Sequence, residues 1–158
     1  MKKSQSEILG LAIVVVIILV ATIFVVKFSL NKPTNYRTDF LSSEIASNML
    51  NTFLKTTARD CSQLTMTELL QDCAQTGGDG SIRCNNGEYS CSFVKSIANE
   101  IFTKTLDKWK MDYEFLAYVD VNTPFIRLGR KCAGEKESKL FPIPISTGAM
   151  YVELDICR

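Results

Sequence analysis

The sequence of 158 residues contains no histidine. Histidine is the commonest general base in enzymes, the commonest metal ligand and the usual charge switch near neutral pH, so all three functions lack their customary side chain. A serine or cysteine nucleophile has no histidine to activate it, and the sequence has no glycine-rich phosphate-binding motif or nucleophile elbow. We therefore predict that the chain is not an enzyme, and we predict no catalytic residue, no cofactor and no metal site.

The sequence also lacks acidic clusters that suit catalysis or calcium binding. Glu135 and Glu137 are close in sequence, but the surrounding "GEKES" is typical of a solvated hairpin loop. Asp79 lies within the glycine-rich "TGGDG", where a single carboxylate supplies too few oxygen ligands for calcium. We predict that both segments are loops.

An excess of positive charge is missing from the larger part of the chain. From Thr34 to the C-terminus there are 14 Lys or Arg residues against 16 Asp or Glu residues, a net charge of −2. Nucleic-acid binding requires a basic surface that neutralises phosphates, so this balance argues against it. The basic residues Arg127, Arg130 and Lys131 are expected to lie on a solvated loop face.

Charged residues are absent from Ile8 to Val26, a run of nineteen residues in which only Gly10 and Thr22 are not plainly apolar. As a helix, this run nearly matches the thickness of the hydrocarbon core of a membrane, about 30 Å. It is longer than the apolar segment of a cleaved secretion signal, and no small-residue cleavage site follows it. We predict a retained single-pass transmembrane helix at residues 5–30 and an extracytoplasmic domain at residues 34–158.

All six cysteines follow this apolar segment. The closest two are separated by six residues, whereas structural zinc sites usually carry closer pairs. An even number of cysteines on one side of a membrane span favours three disulfides formed in an oxidising compartment. This predicts a cell-membrane protein whose C-terminal domain lies outside the cell. The cysteines are Cys61, Cys73, Cys84, Cys91, Cys132 and Cys157.

The N-terminus combines a short basic leader, residues 1–4, with Gln5, Glu7 and the long apolar run. This pattern of about thirty residues resembles an archaeal class III signal peptide, the start of type IV pilin-like proteins. The resemblance implies that a prepilin peptidase cuts between Ser4 and Gln5, and that the apolar helix then packs into a surface filament. Ser4 stands where the family usually has Gly or Ala. Glu7 would be the third residue of the mature chain, whereas bacterial pilins carry their glutamate at the fifth.

Three hypotheses of function are compatible with these features. In the first, the chain is a structural subunit that self-associates through its apolar helix. Glu7 then lies near the positive end of the helix dipole and can pair with the amino terminus of a neighbouring subunit. In the second, the chain is a monomeric membrane-tethered domain that binds an unidentified extracellular ligand or protein. In the third, it is an accessory subunit of a larger membrane complex. We favour the first.

The domain after the membrane segment is predicted to be α+β, with helices first and a four-stranded antiparallel sheet after them. Apolar residues at helical spacing predict helices at 39–58 and 92–110, the second with Trp109 in its buried stripe. The sequence "TMTE" at 65–68 fits a capping box and predicts a short helix that ends near Ala74. Four strands are predicted: one from Tyr113, then 125–130, 139–145 and 150–156.

Two prolines constrain the order of these strands. Pro142 and Pro144 lack N–H groups on the same side of the third predicted strand, so that strand is expected at the edge of the sheet, beside the fourth. The second and fourth strands can then approach each other. Cys132 and Cys157 would emerge at the same end of the sheet, within the distance that a disulfide requires.

The remaining four cysteines carry less information about their partners. By sequence proximity we pair Cys84 with Cys91, which leaves Cys61 with Cys73. Six cysteines allow about 15 connectivities, and a crossed pairing of these four is the alternative.

Overall fold

The structure is a computed structural model that describes residues 3–30 and 36–157, with side chains for residues 13–27 and 40–157. The chain divides into two units, one up to Tyr36 and one from Arg37 onward. Each unit has its own architecture and is described by itself.

The first unit is built on one long helix, α1 (Lys3–Leu30), of 28 residues. The large apolar side chains within residues 13–27 are exposed, from 47% for Val15 to 67% for Phe24. In the described part of the chain, no helix is both long and apolar enough to cross a membrane. The predicted span from Ile8 begins before residue 13, where the described side chains start, so the transmembrane assignment stays a prediction.

The second unit begins with helices. These are α2 (Tyr36–Lys55), α3 (Met66–Gln75) and α4 (Ser90–Phe102). Between α2 and α3, the short strands β1 (Thr57–Ala58) and β2 (Leu64–Thr65) pair antiparallel and turn the chain back.

A capping box starts α3, as the sequence predicts. The Thr65 hydroxyl accepts a hydrogen bond from the backbone N–H of Glu68, and the Glu68 carboxylate accepts one from the N–H of Thr65 at 2.7 Å. These reciprocal bonds satisfy two amide groups that the first helical turn would otherwise leave unpaired. Leu69 and Leu70 follow the cap and are fully buried, so the cap also sets the face that α3 turns towards the core.

A four-stranded sheet follows the helices. Its strands are β3 (Tyr113–Tyr118), β4 (Ile126–Gly129), β5 (Lys136–Ile145) and β6 (Gly148–Cys157). The order across the sheet is β4–β3–β6–β5, and every neighbouring pair is antiparallel. The predicted α+β class and the four-stranded antiparallel sheet are therefore confirmed.

An aromatic cluster joins the helices to the middle of the sheet. The ring of Phe115 in β3 lies 5.7 Å from that of Phe53 in α2 and 5.0 Å from that of Phe102 in α4. Phe53 and Phe102 also meet, with ring centroids 5.8 Å apart. Burial of each such side chain contributes about 1.5–3 kcal/mol to stability. This cluster fixes α2 and α4 on the same face of the sheet.

The predicted helix at 92–110 is interrupted by a π-helical turn, Thr103–Asp107. Such a turn has hydrogen bonds that span five residues. A bond of the same span follows it, from the N–H of Met111 to the carbonyl of Leu106 at 2.9 Å. The wider turn changes the angular position of the residues that follow it, so they no longer continue the buried apolar face of α4. Leu106 stays fully buried, whereas Trp109 is 55% exposed. The prediction that Trp109 lies in the core is wrong.

The strand β5 lies at an edge of the sheet beside β6, as the two prolines predict. The carbonyl of Pro144 accepts a hydrogen bond from the side-chain amide of Gln71 at 2.8 Å, so α3 occupies part of this edge. The strand begins at Lys136, earlier than predicted, and Glu137 pairs with Ile156 in the ladder. The prediction that "GEKES" is wholly a loop is therefore wrong, because its second half belongs to a long hairpin.

The disulfide Cys132–Cys157 is confirmed, with Cα atoms 5.2 Å apart. The strand order used to predict it is only partly right, because β3 separates β4 from β6. The bond forms because Cys132 lies on the connection from β4 to β5. That connection leaves the sheet beside β3 and rejoins it where Lys136 pairs with Cys157, so it brings Cys132 past the end of β6.

The other two disulfides are crossed. The structure joins Cys61 to Cys84 and Cys73 to Cys91, with Cα separations of 4.2 and 5.1 Å. The pairing by sequence proximity is therefore wrong. Helices α3 and α4 pack side by side, which brings Cys73 to Cys91. The segment between the helices returns to the β1–β2 turn, where the N–H of Asn85 donates to the carbonyl of Asp60 at 2.7 Å.

Asp72 of α3 organises the loop that leads to α4. Its carboxylate accepts hydrogen bonds from the N–H groups of Ser81 and Ile82, at 2.8 and 3.0 Å, and from the hydroxyls of Ser81 and Ser90. Burial acts to raise the pKa of Asp72, but these hydrogen bonds outweigh burial and hold the pKa below its usual value.

The "TGGDG" segment is a turn, as predicted. Gly80 in it has a φ of +85°, and a Cβ there would collide with the Ser90 hydroxyl.

We predict that Asp72→Asn lowers the free energy of unfolding by about 1–3 kcal/mol at neutral pH, because an amide has one acceptor oxygen for four donor groups, which include the hydroxyl of the buried Ser90. Since the pKa of Asp72 is lowered by folding, the wild-type advantage is present above the usual value of 3.8 and disappears as the pH falls through the lower native value. Chemical denaturation at neutral pH and well below pH 3.8 measures both effects. Asp79→Asn, an exposed change in the same loop, is the control. Equal stability of the two variants at neutral pH would contradict the prediction.

We also predict that replacing Cys132 and Cys157 together with Ser lowers the free energy of unfolding by about 2–4 kcal/mol. Non-reducing peptide mapping of the variant should still recover the Cys61–Cys84 and Cys73–Cys91 links. Recovery of a Cys84–Cys91 peptide from the wild-type chain would show that the crossed arrangement is incorrect.

Candidate functional site

The residues predicted for processing and assembly lie near the start of α1. Ser4, Gln5 and Glu7 all belong to the helix that begins at Lys3. Their side chains lie outside the described residues, which include side chains only from residue 13 in this helix. Their predicted roles in processing and assembly therefore stay predictions.

The apolar surface of α1 extends around the whole helix. From Ile13 to Val26 the sequence contains only Val, Ile, Leu, Phe, Ala and a single Thr. The one hydroxyl, on Thr22, donates to the carbonyl of Leu19 at 2.8 Å and so is satisfied within the helix. A helix that is apolar on every side is stable only when other apolar groups surround it, such as lipid or other helices.

A second candidate site is a polar cleft where α4, the π turn and the sheet meet. It consists of two adjoining depressions of about 270 and 360 Å³ that share Asp107, Asp112 and Arg130. Arg130 and Asp112 form an ion pair at 3.7 Å, and both side chains are largely exposed. We call this site the polar cleft; its lining residues are Asn99, Thr103, Asp107, Lys110, Met111, Asp112, Tyr113, Gly129 and Arg130.

The backbone around the polar cleft is held by several independent bonds. The N–H of Arg130 donates to the carbonyl of Tyr113, and the N–H of Cys157 donates to that of Asp112, each at 2.8 Å. Gly129 has a φ of +79°, and a Cβ there would collide with the Tyr113 carbonyl. The Cys132–Cys157 disulfide closes the same end of the sheet. The cleft is therefore a rigid surface.

Tyr113 forms the floor of the polar cleft and is almost fully buried. Burial and the nearby Asp107 carboxylate raise the pKa of Tyr113, while a hydrogen bond with Thr103 acts in the opposite direction. Its phenol therefore remains protonated at neutral pH and adds no charge to the cleft.

A polar network lies on the sheet face opposite the aromatic cluster. Asp155 is fully buried and accepts hydrogen bonds from Lys136 at 2.6 Å and from the hydroxyl of Ser138. Lys136 also lies 3.6 Å from Glu153. The hydrogen bond to Asp155 raises the pKa of Lys136, with smaller contributions from the two acidic charges, against the opposing effect of burial. The network ties β5 to β6, which gives it a structural role.

Tyr118 completes this network. Its hydroxyl donates to Glu153 at 2.9 Å, and its ring stacks on Tyr151 with centroids 5.7 Å apart. Burial, the hydrogen bond to Glu153 and the charge of Glu153 together raise the pKa of Tyr118 to about 12. The Tyr118 hydroxyl therefore stays protonated and hydrogen-bonded to the Glu153 carboxylate.

A shallow apolar groove runs between α2 and α4. It has a volume of about 280 Å³, and its lining residues are Asn48, Met49, Thr52, Phe53, Thr56, Ile101 and Thr105. Nearer the start of α2, Phe40 and Leu41 are exposed. The groove offers contact surface but no charged group.

The predicted loop face of basic residues is partly a strand. Arg127 belongs to β4, where its Nε lies 3.3 Å from the buried carboxylate of Glu114, so only Arg130 and Lys131 follow the strand. Among the described residues, no three His, Cys, Asp or Glu side chains are placed to hold a metal ion.

Sequence reasoning missed the polar cleft. Its residues come from α4, the π turn, β3 and β4, so no short motif contains them. One signal in the sequence was the cluster of Asp107, Lys110 and Asp112 around Trp109. The prediction of one continuous helix at 92–110 concealed it.

No protein-family model matches the chain, and no curated protein or solved structure shows significant similarity to it.

We predict that Tyr118 ionises near pH 12 in an ultraviolet titration. Because folding raises this pKa above 10, the contribution of Tyr118 to stability is complete below pH 10 and is lost as the pH rises towards 12. The difference between the titrations of wild type and Tyr118→Phe isolates the residue. In Glu153→Gln the late step should move to lower pH, since the carboxylate charge is removed. An unchanged late step in Glu153→Gln would refute the assigned partner.

Proposed function

We propose that the chain is a structural, non-catalytic subunit of pilin-like type, anchored in the cell membrane by α1 and able to self-associate through that helix. The observation that carries the proposal is the apolar surface of α1, exposed around the helix over residues 13–26. It coincides with the uncharged run from Ile8 to Val26 and follows a short basic leader.

The helix needs apolar surroundings, but these alone do not select a partner. Lipid chains solvate Val, Ile and Leu as well as neighbouring helices do, so association within a membrane depends on close packing and on polar contacts. The segment from Ile8 to Val26 has no paired small residues of the GxxxG type. A specific polar contact is therefore needed to favour assembly over a dispersed anchor.

Glu7 provides that contact in our proposal. Cleavage after Ser4 would create a new amino terminus at Gln5, two residues before the acid. A carboxylate and an ammonium group about 4 Å apart attract each other by about 1 kcal/mol in water but by about 4 kcal/mol at an effective dielectric constant of 20. A pair between neighbouring subunits would therefore stabilise the assembled state once apolar helices exclude water.

The second unit supports an extracytoplasmic location. It carries three disulfides, and such bonds persist in oxidising compartments. We therefore propose a single-pass topology with the second unit outside the cell. Prepilin peptidase would process the leader on the cytoplasmic side before assembly.

The alternative is a monomeric membrane-tethered binding domain. The polar cleft is the observation behind this second candidate, because polar side chains of α4, the π turn and the sheet converge on one concave surface there. The two candidates differ in their N-terminus and in their oligomeric state.

We predict that the mature protein begins at Gln5 and that Glu7→Gln strongly reduces assembly while the second unit stays folded. Mass spectrometry of the N-terminal peptide from membranes measures processing. Sedimentation and electron microscopy of material sheared from cells measure assembly. Glu100→Gln is the matched control, because it removes the same charge from an exposed helix pair that contributes little to stability.

An intact Met1 terminus together with a monomer after detergent extraction would reject the pilin-like subunit in favour of the tethered domain. Wild-type assembly of Glu7→Gln in a processed protein would reject the proposed charge pair alone.

A further inference from the structure

We propose that Asn86, which precedes Gly87, is a deamidation site that the native turn protects, and that the Cys61–Cys84 disulfide maintains this protection. Asn86 and Gly87 form the only Asn-Gly pair in the sequence. We call residues 84–88 the Asn-Gly turn. The turn lies in the second unit, so the proposal does not depend on leader cleavage, membrane anchorage or assembly.

The reaction needs no partner other than water. The backbone nitrogen of Gly87 gives up its proton and attacks Cγ of Asn86, the bond from Cγ to Nδ2 breaks, and the amide nitrogen takes the proton and leaves as ammonia. The product is a cyclic succinimide, which water opens to aspartate or isoaspartate. Glycine favours ring closure because it has no Cβ to obstruct the approach and reaches unusual backbone angles freely. Asparagine is for this reason among the thermolabile residues of proteins.

The Asn-Gly turn is open to solvent. Asn86 and Gly87 are both exposed, so water and base have access to the reacting groups. Gly87 has a φ of +86°, a left-handed conformation that a residue with a side chain rarely adopts. Exposure therefore gives no protection, and any resistance of this pair to deamidation has to come from the geometry of the turn.

Hydrogen bonds hold each of the reacting groups away from the reaction. The N–H of Gly87, which carries the attacking nitrogen, donates to the carbonyl of Cys84 at 2.9 Å. The leaving group, Nδ2 of Asn86, donates to the Glu88 carboxylate at 2.8 Å, and Oδ1 of Asn86 accepts from the N–H of Glu88 at 3.0 Å.

Deamidation requires this arrangement to open. The N–H of Gly87 has to lose its proton, and the side chain of Asn86 has to rotate onto the bare nitrogen, so the bonds of both groups break first. The negative charge of Glu88 also opposes a second negative charge on the neighbouring backbone nitrogen. The closed turn is therefore unreactive, and the rate depends on how often the turn opens.

The Cys61–Cys84 disulfide ties the Asn-Gly turn to the core. Cys84 begins the turn, and its N–H donates to the carbonyl of Glu88 at 2.8 Å. Its side chain is buried and bonded to the fully buried Cys61, with Cα atoms 4.2 Å apart. The N–H of Asn85 donates to the carbonyl of Asp60, the residue before Cys61, at 2.7 Å. Without the disulfide the turn loses its covalent link to the core, so local opening costs less free energy.

Deamidation changes the turn permanently. Aspartate places a new negative charge beside Glu88. Isoaspartate lengthens the main chain by a carbon atom, so the bonds that Cys84 makes with Gly87 and Glu88 cannot both be kept. An intact Asn86 in aged protein therefore records that the disulfide has kept the turn closed.

Peptide mapping measures the modification. The full-length protein in detergent is incubated at mildly alkaline pH, and samples are then reduced, alkylated and digested with pepsin in acid. Mass spectrometry follows the peptide that contains Asn86, whose mass changes when the amide becomes a carboxylate. The same chain, reduced and denatured, gives the unprotected rate. We expect the native protein to deamidate at Asn86 at least about tenfold more slowly, because the reaction needs the open turn.

Two double variants separate the effect of this disulfide from that of overall stability. Cys61→Ser with Cys84→Ser should deamidate about tenfold faster than the native wild type. Cys132→Ser with Cys157→Ser is the matched control, since it removes a bond that closes a similar loop, with a sequence separation of 25 against 23. The control should react at the wild-type rate. Both variants are compared at a temperature at which circular dichroism shows each of them folded.

A single variant that keeps all three disulfides tests the turn itself. Glu88→Ala removes the carboxylate that holds Nδ2 of Asn86 and should also raise the rate. It decides the matter if the Cys61→Ser, Cys84→Ser chain does not fold.

The proposal is overturned if the native wild type deamidates as fast as the denatured chain, or if Glu88→Ala leaves the rate unchanged. Equal acceleration in the two double variants would assign the protection to overall stability and would overturn the role of the Cys61–Cys84 disulfide. An unchanged rate in a folded Cys61→Ser, Cys84→Ser variant would do the same.

Discussion

The end of the sheet where Cys132 meets Cys157 determines the arrangement of the second unit. The connection from β4 to β5 has to travel from one edge of the sheet to the other, past the start of β3 and the end of β6. The disulfide fastens that connection midway, with the two Cα atoms 5.2 Å apart. Because the connection is fixed, Arg130 is held beside Asp112, and β5 enters the sheet in the register that places Lys136 and Ser138 against Asp155. The disulfide thus lies between the polar cleft and the buried ionic network, and it restrains the connection that both of them share.

The two units meet opposite physical requirements. The side chains of α1 from Ile13 to Val26 are apolar on every side and need an apolar environment. The second unit has its own buried core, in which Phe53, Phe102 and Phe115 link helices and sheet, and its exposed carboxylates and cations suit water. A chain with one apolar unit and one unit with a charged surface is suited to a boundary between an apolar environment and water. The proposed membrane anchorage uses that division, and the proposed assembly adds a polar contact at Glu7.

Local signals predicted the parts of the fold that depend on local chemistry. The capping box at Thr65 and Glu68 identified the start of α3, and the missing donors of Pro142 and Pro144 identified an edge strand. Features that depend on distant contacts were missed. The π turn moved Trp109 out of the core, and the packing of α3 against α4 selected the crossed disulfides. No motif in the sequence predicts the four hydrogen bonds of Asp72. Three of the four donor groups belong to Ser81 and Ile82, which follow a turn. The polar cleft was missed for the same reason.

The edge formed by β5 bears on the proposed assembly, in which copies of the second unit would lie close together. Open edges of sheets recruit strands from other molecules and so begin aggregation. Here two prolines remove donors from the edge, and Gln71 already occupies the carbonyl of Pro144. At the opposite edge, β4 is only four residues long, which offers little template for pairing. In the proposed assembly, copies of the second unit would therefore not pair through their sheet edges, and contacts between neighbouring copies would be made by side chains.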